Sequence, residues 1–220
     1  MWPFSRRKQR WFAQHGEDRR LASLLRTKRR GFYIDVGAWD PVQDSVTKYF
    51  YERGWSGLNV EPHPVVYDRL VAARPRDVNL RVALGSEPGE RVLTLIGLSG
   101  LATFDATFAE SAERWMAAER PAPAEVSHIP VPVLTLAEVC RAHVPPATEI
   151  DFLKIDVEGS EADVLHGGDW EHYRPNILVI EAVEPLSDVP AWNAWDGFVR
   201  EQRYAFIEFD GLNRWYRRID

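Results

Sequence analysis

The chain alternates between two hydrophobic periods. Phe32–Val36, Gly57–Val60, Asn79–Leu84, Val92–Ile96, Ile150–Ile155 and Asn176–Glu181 are short, nearly continuous apolar runs, the pattern of strands buried on both faces. Between them, apolar residues recur at helical spacing over 11–29 (Phe12, Leu21, Leu24, Leu25), 40–53 (Val42, Val46, Tyr49, Phe50), 64–73 and 191–203. Asp40-Pro41 predicts a capped helix start with proline in the first turn. Thr135-Leu-Ala-Glu138 predicts a capping box, and Ser160 a cap for a helix ending at Gly167. Tyr204–Phe209, the turn at Asp210-Gly211 and Arg214–Ile219 predict a terminal hairpin. Strands alternating with helices imply an α/β fold: a doubly wound, Rossmann-like sheet, mainly parallel, with a C-terminal antiparallel hairpin.

Residues 97–130 interrupt this rhythm with Gly97, Gly100, Pro121, Pro123 and Pro130. A helix over 106–119, carrying Trp115 and Met116, is expected inside that stretch. The expected organisation is an N-terminal basic helical segment over 1–30 and one domain over 31–220, in which 97–130 is an insert that shapes a substrate pocket. Trp115 and His128 are candidates to line it, with local packing and an exposed loop as their plainer roles.

With 220 residues and 45% hydrophobic composition, the chain has enough apolar material for a substantial core. No apolar run approaches the roughly 20 residues of a membrane span. A net charge of −6 argues against nucleic acid as partner, because duplex binding depends on neutralising phosphates. Positive charge is nevertheless bunched at Arg6–Arg10 and Arg26–Arg30, either as a solvated helix face or to touch an anionic surface or substrate, peripheral contact with a membrane glycan assembly included. With Cys140 as the single cysteine, no intrachain disulfide exists, and a reducing, cytoplasmic compartment is expected.

The chemistry-bearing residues fall at strand ends. Ile34-Asp-Val-Gly-Ala38 closes the first strand; Asp35 suits a cationic ligand, and Gly37 permits a tight turn and close backbone approach. The three-glycine dinucleotide fingerprint is absent, which counts against a nicotinamide-dependent oxidoreductase, the principal alternative on such a fold. Glu61-Pro62 closes the second strand, where an acid commonly accepts hydrogen bonds from a ribose diol; a helix-start acid is its structural alternative. Asp156 and Glu158 follow a later strand and Glu181 ends its neighbour. Acids on adjacent strands can serve as a base or bind a divalent cation such as Mg²⁺ through Asp156 and Glu181, or Asp156 and Glu158 can merely organise their turn. A non-enzymatic nucleotide-binding module is a third reading, disfavoured by this concentration of acids.

Four segments, Gln14-His-Gly-Glu-Asp18, Phe32-Tyr-Ile-Asp-Val-Gly-Ala38, Gly54-Trp-Ser-Gly-Leu-Asn-Val-Glu-Pro62 and Lys154-Ile-Asp-Val-Glu-Gly-Ser-Glu161, together with Asn176–Glu181, resemble the FkbM family of S-adenosylmethionine-dependent methyltransferases over about residues 14–185. The resemblance implies O-methylation, with a sugar or glycan hydroxyl as acceptor and a polyketide or lipid hydroxyl as the alternative. By position it implies that Asp35, Gly37 and Ala38 line the methionine end, Glu61 with Pro62 the ribose, Ala83 and Leu84 the adenine, and Asp156 the methyl group. Asp156 is then the candidate catalytic group, assisted by Glu181 or Glu158. One departure stands out: many members continue the first loop with Asn-x-Gly, where this chain has Trp39-Asp40-Pro41. Trp39 either stacks on a bound ring or packs on the next helix. Oligomeric state is open, a homo-oligomer included.

Overall fold

The computed structural model describes residues 10–25, 28–96, 102–104, 126–185 and 187–220. The expected helix over 106–119, Arg6–Gln9 and Arg26 lie outside the described residues. The main sheet has seven strands: β1 (Phe32–Val36), β2 (Ser56–Val60), β3 (Val78–Leu80), β8 (Phe152–Ile155), β9 (Ile177–Glu181), β10 (Tyr204–Phe209) and β11 (Asn213–Arg218), in the order β10-β11-β9-β8-β1-β2-β3. Pairing is parallel from β3 through β9, while β11 runs antiparallel to both β9 and β10. The α/β sheet with its terminal hairpin is thus as expected.

Strand periodicity divides the core into two layers. Ile34, Val36, Leu58, Leu153, Ile155, Leu178 and Ile180 pack with α4 (Leu136–His143), α5 (Glu161–His166) and α6 (Asp196–Glu201). Tyr33, Phe152, Ile177, Val179 and Trp215 face the other way, against Leu21 of α1 (Glu17–Leu24) and Tyr49 and Phe50 of α2 (Lys48–Tyr51). Both faces are covered, which is why these strands read as unbroken apolar runs. β1 lies at the reversal of strand order, with β2 on one side and β8 on the other, so its C-terminal end opens a crevice.

Several local expectations are corrected. The helix expected over 11–29 is confined to Glu17–Leu24 among the described residues, because Asp18 turns back to accept from the Phe12 and Ala13 amides. Asp40 does accept from the Val42 and Gln43 amides, but it closes an isolated turn and the helix begins only at Lys48. Buried Arg74, after α3 (Pro64–Ala73), holds that loop by donating to the Pro41 carbonyl and the Ser45 hydroxyl. The Thr135–Glu138 capping box forms in full. Ser160 sits at the start of α5 but makes no side-chain cap; Glu161 takes the Val157 and Gly159 amides instead.

The single strand expected over 79–84 divides between two sheets. β3 stays in the main sheet, while β4 (Ala83–Leu84) joins β5 (Gly89–Ile96), β6 (Ala102–Thr103) and β7 (Val126–Leu134) in a second sheet ordered β4-β7-β5-β6. Pro130, expected to break structure, lies inside β7 opposite Val92, with Pro132 opposite Glu90. Among the described residues, pairing of β7 with β4 is confined to Val133 and Leu134, so most of that side of β7 has no described strand partner to miss a proline N–H. No helix among the described residues is long and apolar enough to cross a membrane.

Candidate active site

The crevice at the end of β1 is a cavity of about 410 Å³. Its lining includes every cofactor-binding and catalytic candidate named from the sequence: Asp35, Gly37, Ala38, Glu61, Pro62, Ala83, Leu84, Asp156, Glu158 and Glu181. β1, β2, β8 and β9 deliver the acids at or just beyond their C-terminal ends, and β4 and β5 supply an apolar wall through Ala83, Leu84 and Leu93.

Gly37 has φ 76°, and a Cβ there would lie 1.8 Å from the Asp156 carbonyl oxygen. The close approach of the β1 and β8 ends therefore requires glycine at this position. The Gly37 and Ala38 amides donate to the Val60 carbonyl at 3.0 and 3.2 Å, tying the loop to β2. Glu61 continues the tie: its two oxygens accept from the Trp39 amide at 3.0 Å and the His63 amide at 2.8 Å. Trp39 holds φ 49° and is partly buried against Ala38, Val66 and Leu70. It thus packs on α3 rather than on the helix that follows it directly in sequence, and it also borders the cavity.

The sequence reading missed Lys154, the centre of the site's electrostatics. It is a lysine inside a strand that is otherwise apolar and buried, and that placement was itself the available signal of a charged partner. Its Nζ donates to the Gly37 carbonyl at 2.8 Å and pairs with Asp156 at 3.1 Å and Asp35 at 3.7 Å. Burial works to lower the Lys154 pKa, but Asp156 and Asp35 outweigh it and hold the amine charged. Asp35 also accepts from the Thr47 hydroxyl at 3.1 Å, yet burial raises its pKa, with Lys154 opposing.

Beyond Lys154 the acids crowd together. Asp156, Glu158 and Glu181 each offer an oxygen within 4.8 Å of the others. Burial, then the Asp156 charge, pushes both Glu158 and Glu181 well above the ordinary carboxylate range. Burial also moves Glu61 up to about 7, against its two amide hydrogen bonds. Glu158 has φ 53° and Gly159 φ 97°, so the turn carrying Glu158 is strained at a non-glycine residue. Trp115 lies outside the described residues; His128 is exposed on β7, paired with the Thr94 hydroxyl at 3.1 Å and away from the cavity lining. Lys28, from the second basic cluster, is engaged by Glu149 and Asp151. Gln14, His15, Asp44 and Leu212 also line the cavity and were not singled out from the sequence.

This arrangement has a measurable consequence for the ligand-free protein. A carboxyl whose pKa is higher folded than unfolded binds more protons in the folded state between the two values, so stability falls as pH rises through that interval. Glu61 spans 4.5 to about 7, and Asp35, Glu158 and Glu181 are shifted in the same direction. The melting temperature is therefore expected to be higher at pH 5.5 than at pH 8. A thermal scan showing the opposite slope would contradict the buried placement of these acids.

The residues fit a cationic, hydroxyl-bearing ligand. Asp35 Oδ1 and Glu181 Oε2 are buried without a hydrogen-bond partner among the described residues, and such atoms are costly unless something satisfies them. Among the described residues the lining carries six acids against one lysine and no arginine, which favours a positively charged group over a pyrophosphate.

A sequence model described as the methyltransferase FkbM domain matches residues 35–206. No curated protein sequence matches the chain. Among solved structures, the chain is similar to a TehB-like SAM-dependent methyltransferase from Corynebacterium glutamicum, at 10% identity over 92% of this chain and 88% of that one, with TM-score 0.46. It is also similar to an O-methyltransferase from Bacillus cereus in complex with SAH, at 11% identity over 96% and 84%, with TM-score 0.41. A chain of a fibrillarin/Nop5p complex aligns at 10% identity over 96% and 92%, with TM-score 0.40.

Proposed function

The chain belongs to the FkbM family of S-adenosylmethionine-dependent methyltransferases, and from that premise we propose that it methylates a hydroxyl oxygen, that of a sugar or glycan. The observation that carries the site assignment is the convergence of Asp35, Glu61 and Asp156 on one cavity whose sole lysine or arginine among the described residues is Lys154. Bound there, S-adenosylmethionine supplies a methyl carbon on a sulfonium leaving group. Asp35 and Asp156 provide the negative field for that cation. Each Glu61 oxygen keeps a lone pair beyond its amide bond for the ribose hydroxyls, and Ala83 and Leu84 give the adenine a flat apolar wall.

An alcohol is too weak an acid to ionise at neutral pH, so transfer needs a proton acceptor within hydrogen-bond reach. Asp156 takes that part. Lys154 fixes one of its oxygens at 3.1 Å, and Glu181, protonated by its surroundings, hydrogen-bonds to it. With the methyl donor bound, Asp156 would take the hydroxyl proton as the oxygen is methylated and, being one-third exposed, would return it to solvent. A screen of glycosides, glycans, polyketide alcohols and lipid alcohols with methyl-labelled S-adenosylmethionine tests this reading. Label found on nitrogen or carbon alone removes O-methylation.

Glu61→Gln turns an amide donor toward a backbone N–H and removes the charge facing the ribose. The expected result is about a 10- to 100-fold weaker Kd for S-adenosylhomocysteine, matching the worth of charge-assisted hydrogen bonds. In the unaltered chain the same affinity should fall as pH drops through about 7, where Glu61 gains its proton. Calorimetry at pH 6 and 8 checks both; an unchanged affinity in the variant removes Glu61 from the ribose.

A second reading has an observation of its own. Three carboxylate oxygens within 4.8 Å of one another, from Asp156, Glu158 and Glu181, match the hard-oxygen donors that Mg²⁺ prefers. Asp156 and Glu181 would then hold the cation, which would lower the acceptor hydroxyl's pKa. On that reading EDTA abolishes turnover and added Mg²⁺ restores it; on the base reading EDTA leaves the rate unchanged.

A further inference from the structure

Gln14 and His15 stand out because the fold invests heavily in holding them still. Both side chains are exposed, both line the cavity, and neither hydrogen-bonds to another described residue. Yet the backbone carrying them is fixed from beneath by two buried carboxylates. Asp18, with no exposed surface, accepts from the Phe12 amide at 2.7 Å and the Ala13 amide at 3.4 Å. Glu17, 6% exposed, accepts from the His15 amide at 2.9 Å and, through its other oxygen, from the Asn213 side chain at 3.1 Å. Burying two carboxylates is costly unless their hydrogen bonds are well made. What these bonds secure is a loop with no core residue of its own at Gln14 or His15.

The same contacts locate the loop. Asn213 lies directly opposite Glu181 in the β9–β11 register, so the Glu17 tether brings His15 alongside the strand end that carries Glu181. On the other side, Ala13 bridges to Asp44, three residues before the Thr47 that hydrogen-bonds Asp35. Gln14 and His15 therefore border the carboxylate end of the cavity, whereas Glu61, Ala83 and Leu84 form its other end.

We propose that Gln14 and His15 are the acceptor-binding edge of the site, hydrogen-bonding the molecule to be methylated, and that this molecule is uncharged or cationic where it enters. The proposal rests on the methyl-transfer reading of the cavity. Gln and His each offer both donor and acceptor atoms, which suits a polyhydroxyl surface. The charge restriction follows from Asp35, Asp44 and Asp156, joined by Glu61 above about pH 7, against Lys154 as the one lysine or arginine among the described lining residues. A phosphate or carboxylate close to the reacting hydroxyl would meet like charge in a partly desolvated cleft.

The test uses the full chain with Gln14→Ala, His15→Ala and His15→Gln. Acceptors are methyl glycosides of neutral hexoses, matching amino sugars, and matching hexuronates and hexose phosphates. The expected result is an acceptor KM raised about tenfold or more in both alanine variants, partly restored in His15→Gln, with the Kd for S-adenosylhomocysteine unchanged within about twofold. Neutral or amino acceptors should exceed their anionic counterparts. Unaltered KM values overturn the assignment, as does an equal loss of S-adenosylhomocysteine affinity, which would make the loop part of the cofactor site. Anionic acceptors turned over as well as neutral ones overturn the charge restriction. If amino sugars alone are methylated, on nitrogen, the O-methylation reading fails while a raised KM still upholds the edge. A chain that methylates nothing in the panel, and whose ¹³C-labelled His15 signal does not move on adding these acceptors to the S-adenosylhomocysteine complex, overturns the proposal.

Discussion

Asp156→Asn is expected to lower turnover by about 100- to 10,000-fold, the range spanned by loss of a general base, while S-adenosylhomocysteine binding changes little. Asparagine preserves the shape of the side chain and can still accept from Lys154, so the cavity should keep its form. What it loses is the capacity to receive a proton from the acceptor hydroxyl. The neighbouring acids do not substitute easily, because burial and the Asp156 charge already keep Glu158 and Glu181 inclined to hold their protons. Glu181→Gln provides the contrast. A glutamine amide can replace the protonated carboxyl as donor to Asp156, so its loss should be within about tenfold. Single-turnover rates with labelled cofactor separate the two. Equal losses in both variants would favour the cation reading, in which each residue is a ligand, and wild-type turnover in Asp156→Asn would remove Asp156 from the chemistry.

Lys154→Met should produce the largest loss of stability among the site variants, about 3–5 kcal/mol at neutral pH. The magnitude is that of breaking a buried ion pair from one side. Methionine fills most of the space, but Asp35 and Asp156 lose their common counter-charge and the Gly37 carbonyl loses its 2.8 Å donor. The loss should depend on pH in a particular direction. Without Lys154 the Asp35 pKa rises further, and a neutral acid tolerates burial better than an anion. The gap between Lys154→Met and the parent is thus expected to be wider at pH 8 than at pH 5.5 in urea unfolding. A gap independent of pH would mean that Lys154 acts through packing alone.

The part of the cavity proposed to hold the cofactor was legible because its residues are constrained by local geometry. Gly37 must be glycine where a Cβ would strike the Asp156 carbonyl, and Asp35, Glu61, Asp156 and Glu181 sit at fixed offsets from apolar runs. Lys154 was quoted within a motif but given no role, since nothing in a linear reading says which neighbours a strand lysine meets. Gln14 and His15 were likewise visible as a motif, yet their place beside the cavity comes from tethers to Asn213 and Asp44, nearly 200 residues and about 30 residues away in sequence.

The sequence alone determined the layered α/β architecture, the antiparallel finish and the acids of the crevice, because strand burial, turn chemistry and a required glycine are written in adjacent residues. Tertiary structure decided the rest. It split residues 79–84 between two sheets, set Pro130 and Pro132 inside β7 opposite Val92 and Glu90, and placed one buried lysine among the carboxylates. Those outcomes depend on which strands become neighbours and on how close distant charges are forced together, and such distances exist only once the sheet has closed around its two core layers.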